Sequence, residues 1–442
     1  MQALGNTSNR RQPRLPSSFW LMAIVCTLFL VGSAWQAWQL YARPYDDLPS
    51  FYWATRLTWE QGWSAYQPEH FQELSRSFGQ RVYPFLYPPP SLILFSPFLI
   101  CEDYKQAKLF FSVFNLVLWW VLAFALCQAS STFCKHASRF MWAIPLFMLV
   151  YFPCADTLKN GQVNLLVLIC LLPCLFPQAG RWRQWAAGVL FACAVMLKVY
   201  VLLLLPILIW YRRWQETGSA ILTMLLLAGG SLLLLPAGLW QDWFALGGRA
   251  GYGTGVAQVL TVPFNQSFNG FFIRQFLYLR SGGGASSWIF GIYVVVAVHA
   301  AAAAWLLVLR LGRGMATLSP ALALVLLLVN LIAPLSWIHH YVFALPALLW
   351  AAHFSGQGSL APPVVCGRLI APLLALAAIL LALPFLPAAF FGGGVMKGTP
   401  GGGMPLLDNI RLSISLAGGT LLFWVLLVQL AASTKPVTNR PS

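Results

Sequence analysis

Two adjacent carboxylates, Asp46 and Asp47, lie directly after an apolar segment and before a group of aromatic side chains. Only 11 of the 442 residues are acidic, so a side-by-side pair is a conspicuous feature. A carboxylate beside a low-dielectric surface can act as a general base, and aromatic rings can stack on sugars or anchor at a membrane interface. An N-cap for a helix over residues 49–62 is the competing interpretation, because Asp caps helices well.

Five further polar segments interrupt the apolar sequence. They are residues 83–90 with Tyr87, residues 159–164 with Gln162, Lys198, residues 265–274 with Asn265 and Arg274, and residues 330–340 with His339 and His340. Each alone fits an ordinary role, such as a proline corner, a polar turn, a snorkelling lysine, a solvated loop or interfacial side chains. Adjacent histidines point about 100° apart on a helix, which suits one metal ion poorly, so we expect neither a metal nor another cofactor.

The composition predicts a membrane protein. The chain is 59% hydrophobic and 9% charged, whereas soluble domains have roughly 25% charged residues. The class is therefore an all-α polytopic protein with membrane lipids around it. The formal net charge is +16, but the basic residues occur as pairs between apolar runs. Because no basic run is interleaved with aromatic residues, we expect no nucleic-acid partner.

The apolar segments predict about twelve membrane spans, at residues 17–39, 106–128, 139–154, 162–177, 184–197, 199–211, 218–236, 286–310, 317–333, 339–354, 366–390 and 409–431. The run at 90–100 is too short to cross about 30 Å of hydrocarbon, so it is predicted to be an interfacial or re-entrant helix. Basic pairs flank the ambiguous segment 184–211 on both sides. A hairpin places both pairs on one side of the membrane, with Lys198 at its turn facing a water-filled cavity.

The distribution of Lys and Arg predicts the orientation. With a cytoplasmic N-terminus and an uncleaved signal anchor, nearly all basic residues of the short loops fall inside. The prediction is a multi-pass protein of the inner (plasma) membrane, with cytoplasmic tails at 1–16 and 432–442. Residues 17–431 then form a single transmembrane domain. Its outer loops are 40–89, 155–161, 237–285, 334–338 and 391–408, and the polar segments form a site that faces the periplasm or the outside.

The predicted site combines a carboxylate, cations, amides and aromatic rings. The cations suit a phosphate and the aromatic rings suit a sugar. Glycosyl transfer from a polyprenyl-phosphate sugar needs this combination, because the lipid phosphate is already a leaving group. What remains is to deprotonate an acceptor hydroxyl and to stabilise the charge of the departing phosphate.

The order of these motifs resembles the GT-C fold glycosyltransferases of family 87, which include polyprenol-phosphate-mannose-dependent α-mannosyltransferases. The resemblance spans residues 40–350 and rests on Asp47, Phe51, Tyr52, Ala54, Gly62 and Tyr66, on Tyr87-Pro88-Pro89, Gly161-Gln162-Val163-Asn164 and Lys198, and on Asn265-Gln266-Ser267, Arg274 and residues 334–340. It implies an inverting, metal-free transferase with Asp47 as the general base.

The resemblance also implies the other partners of the site. Lys198, Arg274, His339 or His340 would hold the lipid phosphate. Further candidate binding residues are Asn265, Gln162, Tyr87 and, beside the base, Asp46. The expected donor is a polyprenyl-phosphate sugar, with mannose as the expected sugar, and the expected acceptor is a lipid or a glycan.

Two other functions would use similar residues. A transporter or flippase of a lipid-linked glycan would need the same spans and cations, but such proteins often contain inverted repeats, and none is visible here. A polymerase or ligase of surface polysaccharide would share the lipid donor, and it is expected to carry paired arginines in a large outer loop. Here Arg249, Arg274 and Arg280 are scattered, so this alternative stays open.

Overall fold

A computed structural model describes residues 17–44, 47–79, 82–133, 143–176, 179–250, 264–277, 287–356, 364–383 and 406–433. These residues form helices joined by short connections, and one isolated β-bridge among them pairs Asn265 with Trp337. The predicted all-α class is therefore confirmed. Asp46 lies outside the described residues, as do both predicted tails apart from the last helical residues at 432–433.

The α-helices of the described residues are Ser17–Tyr41, Leu48–Gln61, Pro68–Phe78, Ser91–Leu94, Tyr104–Phe133, Ala143–Val150, Phe152–Asn160, Asn164–Leu175, Arg181–Leu197, Leu205–Trp210, Trp214–Leu234, Leu239–Ala250, Phe268–Leu277, Ser287–Leu311, Met315–Ile332, Leu345–Gly356, Val364–Ala382, Leu406–Leu412 and Ile414–Ser433. Three 3-10 helices lie at Ser96–Ile100, Val199–Leu204 and Ile338–Ala344. The short helical run predicted at 90–100 is thus present.

Five described helices are long and apolar enough to cross a membrane, at Leu21–Gln39, Tyr104–Ser130, Trp214–Leu234, Val294–Leu311 and Ile414–Ala432. Shorter apolar helices lie at Asn164–Leu175, Val199–Trp210, Ala316–Ile332 and Leu369–Ala382. The class of polytopic membrane protein is confirmed. Each of the twelve predicted segments contains helix, while the number of crossings stays a prediction.

Several boundaries differ from the sequence prediction. Within the predicted span 139–154, the structure has helix Ala143–Val150. A separate helix, Phe152–Asn160, then covers most of the expected outer loop 155–161. Between them Tyr151 is extended, and Pro153 lies in the first turn of the second helix, where its missing N–H costs nothing. The predicted outer loops 40–89 and 237–285 likewise contain helices of their own.

The chain reverses direction at Lys198, as the hairpin prediction required. Helix Arg181–Leu197 ends there, and Lys198 adopts an extended conformation with φ −146° and ψ 92°. A Cβ on Gly188 would touch both Ser219 and Glu216, so the N-terminal halves of this helix and of helix Trp214–Leu234 lie side by side. The basic pairs near both starts therefore share one end of the molecule.

Buried hydrogen bonds connect the elements that carry the polar segments. Helix Phe152–Asn160 packs against the 3-10 helix Ile338–Ala344. At this contact the hydroxyl of Tyr151 donates to the backbone oxygen of Tyr341 at 2.6 Å. The hydroxyl of Tyr341 in turn donates to the backbone oxygen of Gln266 at 2.6 Å. Three segments that are distant in sequence are thereby held together.

Replacing Gly188 by Ala should destabilise the protein. The new Cβ would lie 1.9 Å from Ser219 Oγ and 2.2 Å from the backbone oxygen of Glu216. Overpacking of this kind costs roughly 1–3 kcal/mol, so the midpoint of thermal unfolding in detergent should fall. Gly229→Ala is the matched control, because its Cβ would meet nothing within 4 Å. Equal midpoints for the two variants would contradict this close helix packing.

Candidate functional site

Asp47 lies at the N-cap position of helix Leu48–Gln61, but its side chain makes no capping hydrogen bond. Its carboxylate oxygen Oδ2 instead accepts a hydrogen bond from Gln162 Nε2 at 2.6 Å. Its backbone N–H donates to the backbone oxygen of Asn160 at 2.9 Å. Both contacts come from the same polar turn, so that turn fixes the position of the carboxylate.

Gln162 connects Asp47 with Tyr87. The Tyr87 hydroxyl donates to Gln162 Oε1 at 3.0 Å, which leaves the amide nitrogen of Gln162 directed at Asp47. Burial raises the pKa of Tyr87 well above its usual value, and the nearby charge of Asp47 adds to the effect. The hydroxyl therefore stays protonated and acts as a donor. Gly161 ends the preceding helix with φ 67°, a left-handed conformation that glycine adopts without strain.

Lys198 places a cation over the aromatic ring of Tyr87. Its Nζ lies 5.3 Å from the centre of the Tyr87 ring and 3.2 Å from Nε2 of His340. Lys198 lies between two helices, outside the candidate spans. Burial lowers the pKa of Lys198 to about 8, and the negative charge of Asp47 limits this decrease. The amine is thus still mostly protonated at neutral pH.

His339 lies next to the same turn. Its Nδ1 is 3.0 Å from Asn160 Nδ2 and 3.3 Å from Asp156 Oδ2. The ring of His340 is perpendicular to the His339 ring, with centroids 4.8 Å apart. Asn164 Nδ2 donates to the backbone oxygen of His339 at 3.1 Å. The structure therefore brings the two histidines together with Lys198 and the polar turn.

Arg274 lies in a second polar cluster. Its guanidinium donates to the backbone oxygen of Asn265 at 2.8 Å, to Asn409 Oδ1 at 2.9 Å and to Ser413 Oγ at 2.8 Å. The side chain is 1% exposed. A solvated loop was the ordinary interpretation of residues 265–274, and the structure shows Asn265 and Arg274 in a packed interior instead. That Arg274 holds a phosphate stays a prediction.

Asn265 belongs to the same cluster and shapes the segment that precedes the histidines. Its Oδ1 accepts from the backbone N–H of Ser336 at 3.1 Å, and the backbone N–H of Gln266 donates to Ser336 O at 2.6 Å. Together with the bridge to Trp337, these bonds hold the extended stretch before His339. Asn265 Oδ1 also accepts from the hydroxyl of Ser267 at 2.9 Å, and a direct role of Asn265 in binding substrate stays a prediction.

Asp156 contacts this cluster although the sequence analysis did not select it, and Asn160 belongs to the predicted polar segment 159–164 without having been chosen as a site residue. Both lie on helix Phe152–Asn160, in a segment that had been predicted as loop. The available signal was Asp156 itself, a rare acidic residue between apolar spans. In the part of the chain that the structure describes, no three His, Cys, Asp or Glu side chains are grouped as metal ligands would be.

Fold and site together define an all-α membrane protein with a carboxylate and a cation joined by polar side chains at the ends of its helices. The sequence model of glycosyltransferase family 87 matches residues 85–334, more than half of the chain. The chain belongs to this family, and the resemblance found from its motifs is confirmed. No solved structure matches it significantly.

Two mycobacterial relatives show how far the similarity extends. The polyprenol-phosphate-mannose-dependent α-(1-2)-phosphatidylinositol pentamannoside mannosyltransferase of Mycobacterium tuberculosis is 27% identical over 269 residues, which cover 60% of this chain and 58% of the relative. The corresponding phosphatidylinositol mannoside mannosyltransferase of the same species is 25% identical over 356 residues, covering 77% of this chain and 78% of the relative. The match with the first relative therefore spans little more than half of its length.

The titration of Lys198 tests this geometry directly. Its amine should titrate near pH 8, and Asp47→Asn should lower that pKa further, because the carboxylate charge favours the protonated amine. The measurement is a pH series of NMR spectra on protein whose lysines carry ¹³C-methyl groups, with Lys198→Arg to assign the signal. Asp103→Asn, which changes an exposed carboxylate, should leave the pKa unaltered. An unchanged pKa in Asp47→Asn would place the two groups farther apart than the structure does.

Proposed function

We propose that this protein is an inverting glycosyltransferase that moves mannose from polyprenyl-phosphate mannose to a lipid or glycan acceptor at the outer face of the membrane. Asp47 is the general base and Lys198 binds the phosphate of the donor. The observation that carries the proposal is the arrangement around Tyr87. Its hydroxyl reaches Asp47 through Gln162, while its ring lies beneath the Lys198 ammonium.

The proposed reaction needs one proton transfer and one displacement. The acceptor hydroxyl gives its proton to the Asp47 carboxylate while its oxygen attacks the anomeric carbon of the donor sugar. The bond from that carbon to the phosphate oxygen breaks on the opposite side, which inverts the configuration. The electron pair leaves with the polyprenyl phosphate, and the Lys198 cation stabilises its added negative charge.

Gln162 supports the proposed base chemistry. A general base must present its lone pair to the acceptor, so its carboxylate has to be held in one orientation. The 2.6 Å bond from Gln162 occupies Oδ2 of Asp47 and thereby sets the direction of the carboxylate group. The Tyr87 hydroxyl in turn fixes Gln162 through its 3.0 Å hydrogen bond, so Tyr87 orients the carboxylate of Asp47 indirectly.

The names of the relatives support the choice of substrate. They specify polyprenol-phosphate mannose as the donor and phosphatidylinositol mannosides as acceptors of those proteins. We infer the same class of donor for this chain and leave the acceptor as a lipid or glycan. The outer-face orientation is supported by the basic pairs near residues 181–183 and 212–213, which share one end of the molecule opposite the turn at Lys198.

Asp47→Asn should abolish transfer without unfolding the protein. Loss of a general base typically lowers the rate about 10²–10⁴-fold, and Asn keeps the shape and the bond to Gln162. The measurement is transfer of radiolabelled sugar from a panel of polyprenyl-phosphate sugars to membrane-extract acceptors by purified protein. Asp46→Asn should retain most of the activity and tests which carboxylate is the base.

Two results would count against this assignment. Asp47→Asn as active as the unchanged protein would remove the carboxylate from the mechanism. Wild-type protein that binds the donor but never transfers its sugar would favour a transporter of lipid-linked glycans instead.

Lys198→Met should weaken donor binding and also lower kcat, because the cation holds the donor phosphate and stabilises its added charge as it departs. A hydrogen bond to a charged group contributes about 1.5–3 kcal/mol, so KM for the donor should rise on the order of tenfold or more. Lys198→Arg keeps the charge, and it should recover part of the loss and move the alkaline limb of kcat/KM to higher pH. The alkaline limb is expected near pH 8 in the wild type, because the amine loses its proton there. Identical KM values for Met and Arg variants would argue against a charge contact.

A further inference from the structure

The ammonium group of Lys198 has three N–H groups, and two neighbours account for two of them. Nε2 of His340 lies 3.2 Å from Nζ, and the centre of the Tyr87 ring lies 5.3 Å from it. In the part of the chain that the structure describes, His340 Nε2 is the only hydrogen-bond acceptor of this amine. Lys198 is not fully buried, so its third N–H is available for a ligand.

The direction of the hydrogen bond between Lys198 and His340 follows from the chemistry of the two groups. An ammonium group has donors and no acceptor. Because the pKa of Lys198 is about 8, the amine is mostly protonated at neutral pH and has to be the donor. Nε2 of His340 is therefore the acceptor, and the neutral ring carries its proton on Nδ1. A doubly protonated ring could not accept, and it would place a second positive charge beside the ammonium.

This assignment gives His340 a role that differs from that of a phosphate ligand. The family resemblance placed His340 among the residues that would hold the lipid phosphate. Nε2, however, faces Lys198 and has no proton to give to a phosphate oxygen. Its lone pair instead restrains Nζ of Lys198 above the Tyr87 ring.

His340 is itself held by its surroundings. The residue is 6% exposed, its backbone N–H donates to Trp337 O at 2.9 Å, and Asn330 Nδ2 donates to its backbone oxygen at 3.2 Å. The imidazole packs beside the ring of Tyr200, with centroids 6.0 Å apart, and beside that of His339, with centroids 4.8 Å apart. A group fixed in this way can restrain a more flexible neighbour.

We propose that His340 is a positioning residue that accepts a hydrogen bond from Lys198 and thereby directs the ammonium group at the phosphate of the donor. The inference deepens the proposed function and rests on it for the identity of the donor. In this scheme His340 does not touch the donor. It acts by restraining a long and flexible side chain before the donor arrives, which reduces the entropy lost on binding.

The sign of one pKa change distinguishes this role from that of a phosphate ligand. The other titratable groups around the contact are a carboxylate, two phenols and a second imidazole, namely Asp47, Tyr87, Tyr200 and His339. All of them are retained in His340→Met. Loss of the acceptor disfavours the protonated amine, so the pKa of Lys198 should fall by about one pH unit. Loss of a phosphate-binding imidazolium would instead remove a neighbouring positive charge and raise that pKa.

The measurement is a pH series of NMR spectra without donor, on protein whose lysines carry ¹³C at Cε, with Lys198→Arg to assign the signal. His340→Gln, whose amide oxygen reaches about the position of Nε2, should keep the pKa of Lys198 close to that of wild type. His340→Asn reaches only the position of Nδ1 and should lower the pKa as Met does. His299→Met changes an exposed histidine and should leave it unaltered.

A raised or unchanged pKa of Lys198 in His340→Met would overturn the proposal. If His340→Met does not fold, the comparison of His340→Gln with His340→Asn decides, and equal pKa values of Lys198 in those two variants would overturn it.

Binding of a polyprenyl monophosphate to purified protein in detergent tests the consequence for the donor. His340→Met should weaken this binding by about tenfold, and it should change binding little in the Lys198→Met background, where no ammonium is left to position. An equal loss in both backgrounds would show that His340 contacts the phosphate itself and would overturn the proposal. Equal weakening for the phosphate-free polyprenol would also overturn it.

Binding and transfer keep the two proposals distinguishable. If binding of the phosphate lipid depends jointly on His340 and Lys198 in a protein that never transfers sugar, the proposed function is contradicted and this inference stands. Normal transfer by His340→Met, with an unchanged KM for the donor, would contradict the inference and leave the proposed function standing.

Discussion

The polar turn from Asn160 to Asn164 is the constraint on which the rest of the site depends. Its backbone fixes Asp47, its Gln162 side chain directs the carboxylate, and its two asparagines contact the ring and backbone of His339. The turn can do this because Gly161 adopts a left-handed conformation that returns its backbone N–H, and that of Gln162, to the preceding helix. The backbone and amide groups of the turn thereby serve as hydrogen-bond partners of the buried residues around it.

Tyr87 connects the polar turn with the ammonium group of Lys198. A tyrosine has an apolar ring and a polar hydroxyl, so one side chain can meet an ammonium group on its face and an amide at its tip. Here it does both, toward Lys198 and toward Gln162. The ring also packs edge-on against Phe51 with centroids 5.1 Å apart, and Phe51 follows Asp47 by one helical turn. Asp47, Lys198 and the helix that follows Asp47 are thereby parts of one packed unit.

The sequence was enough to select Asp47 and Lys198 as candidate site residues, but it did not predict the contacts around them. Asp47 and Lys198 could be selected because charged residues are rare in this composition. Charges are also costly near lipid, so their presence there indicates a functional role. Asp156 was overlooked because residues 155–161 were predicted to be an outer loop, whereas the structure has helix Phe152–Asn160 there. Arg274 shows the reverse case. Only the folded chain reveals that its partners are Asn265 and side chains near residue 409–413, more than 130 residues away.

The polar turn also has a consequence for how such a chain tolerates changes in length. A substituted side chain alters one contact, but an inserted or deleted residue between Asn160 and Asn164 shifts the register of every group beyond it. Asp47, Gln162 and His339 would lose their alignment in the same event, because each of them belongs to this turn or contacts it. Helices elsewhere can lengthen by a turn and still pack, whereas the spacing of residues 160–164 must stay constant for all of these contacts to form.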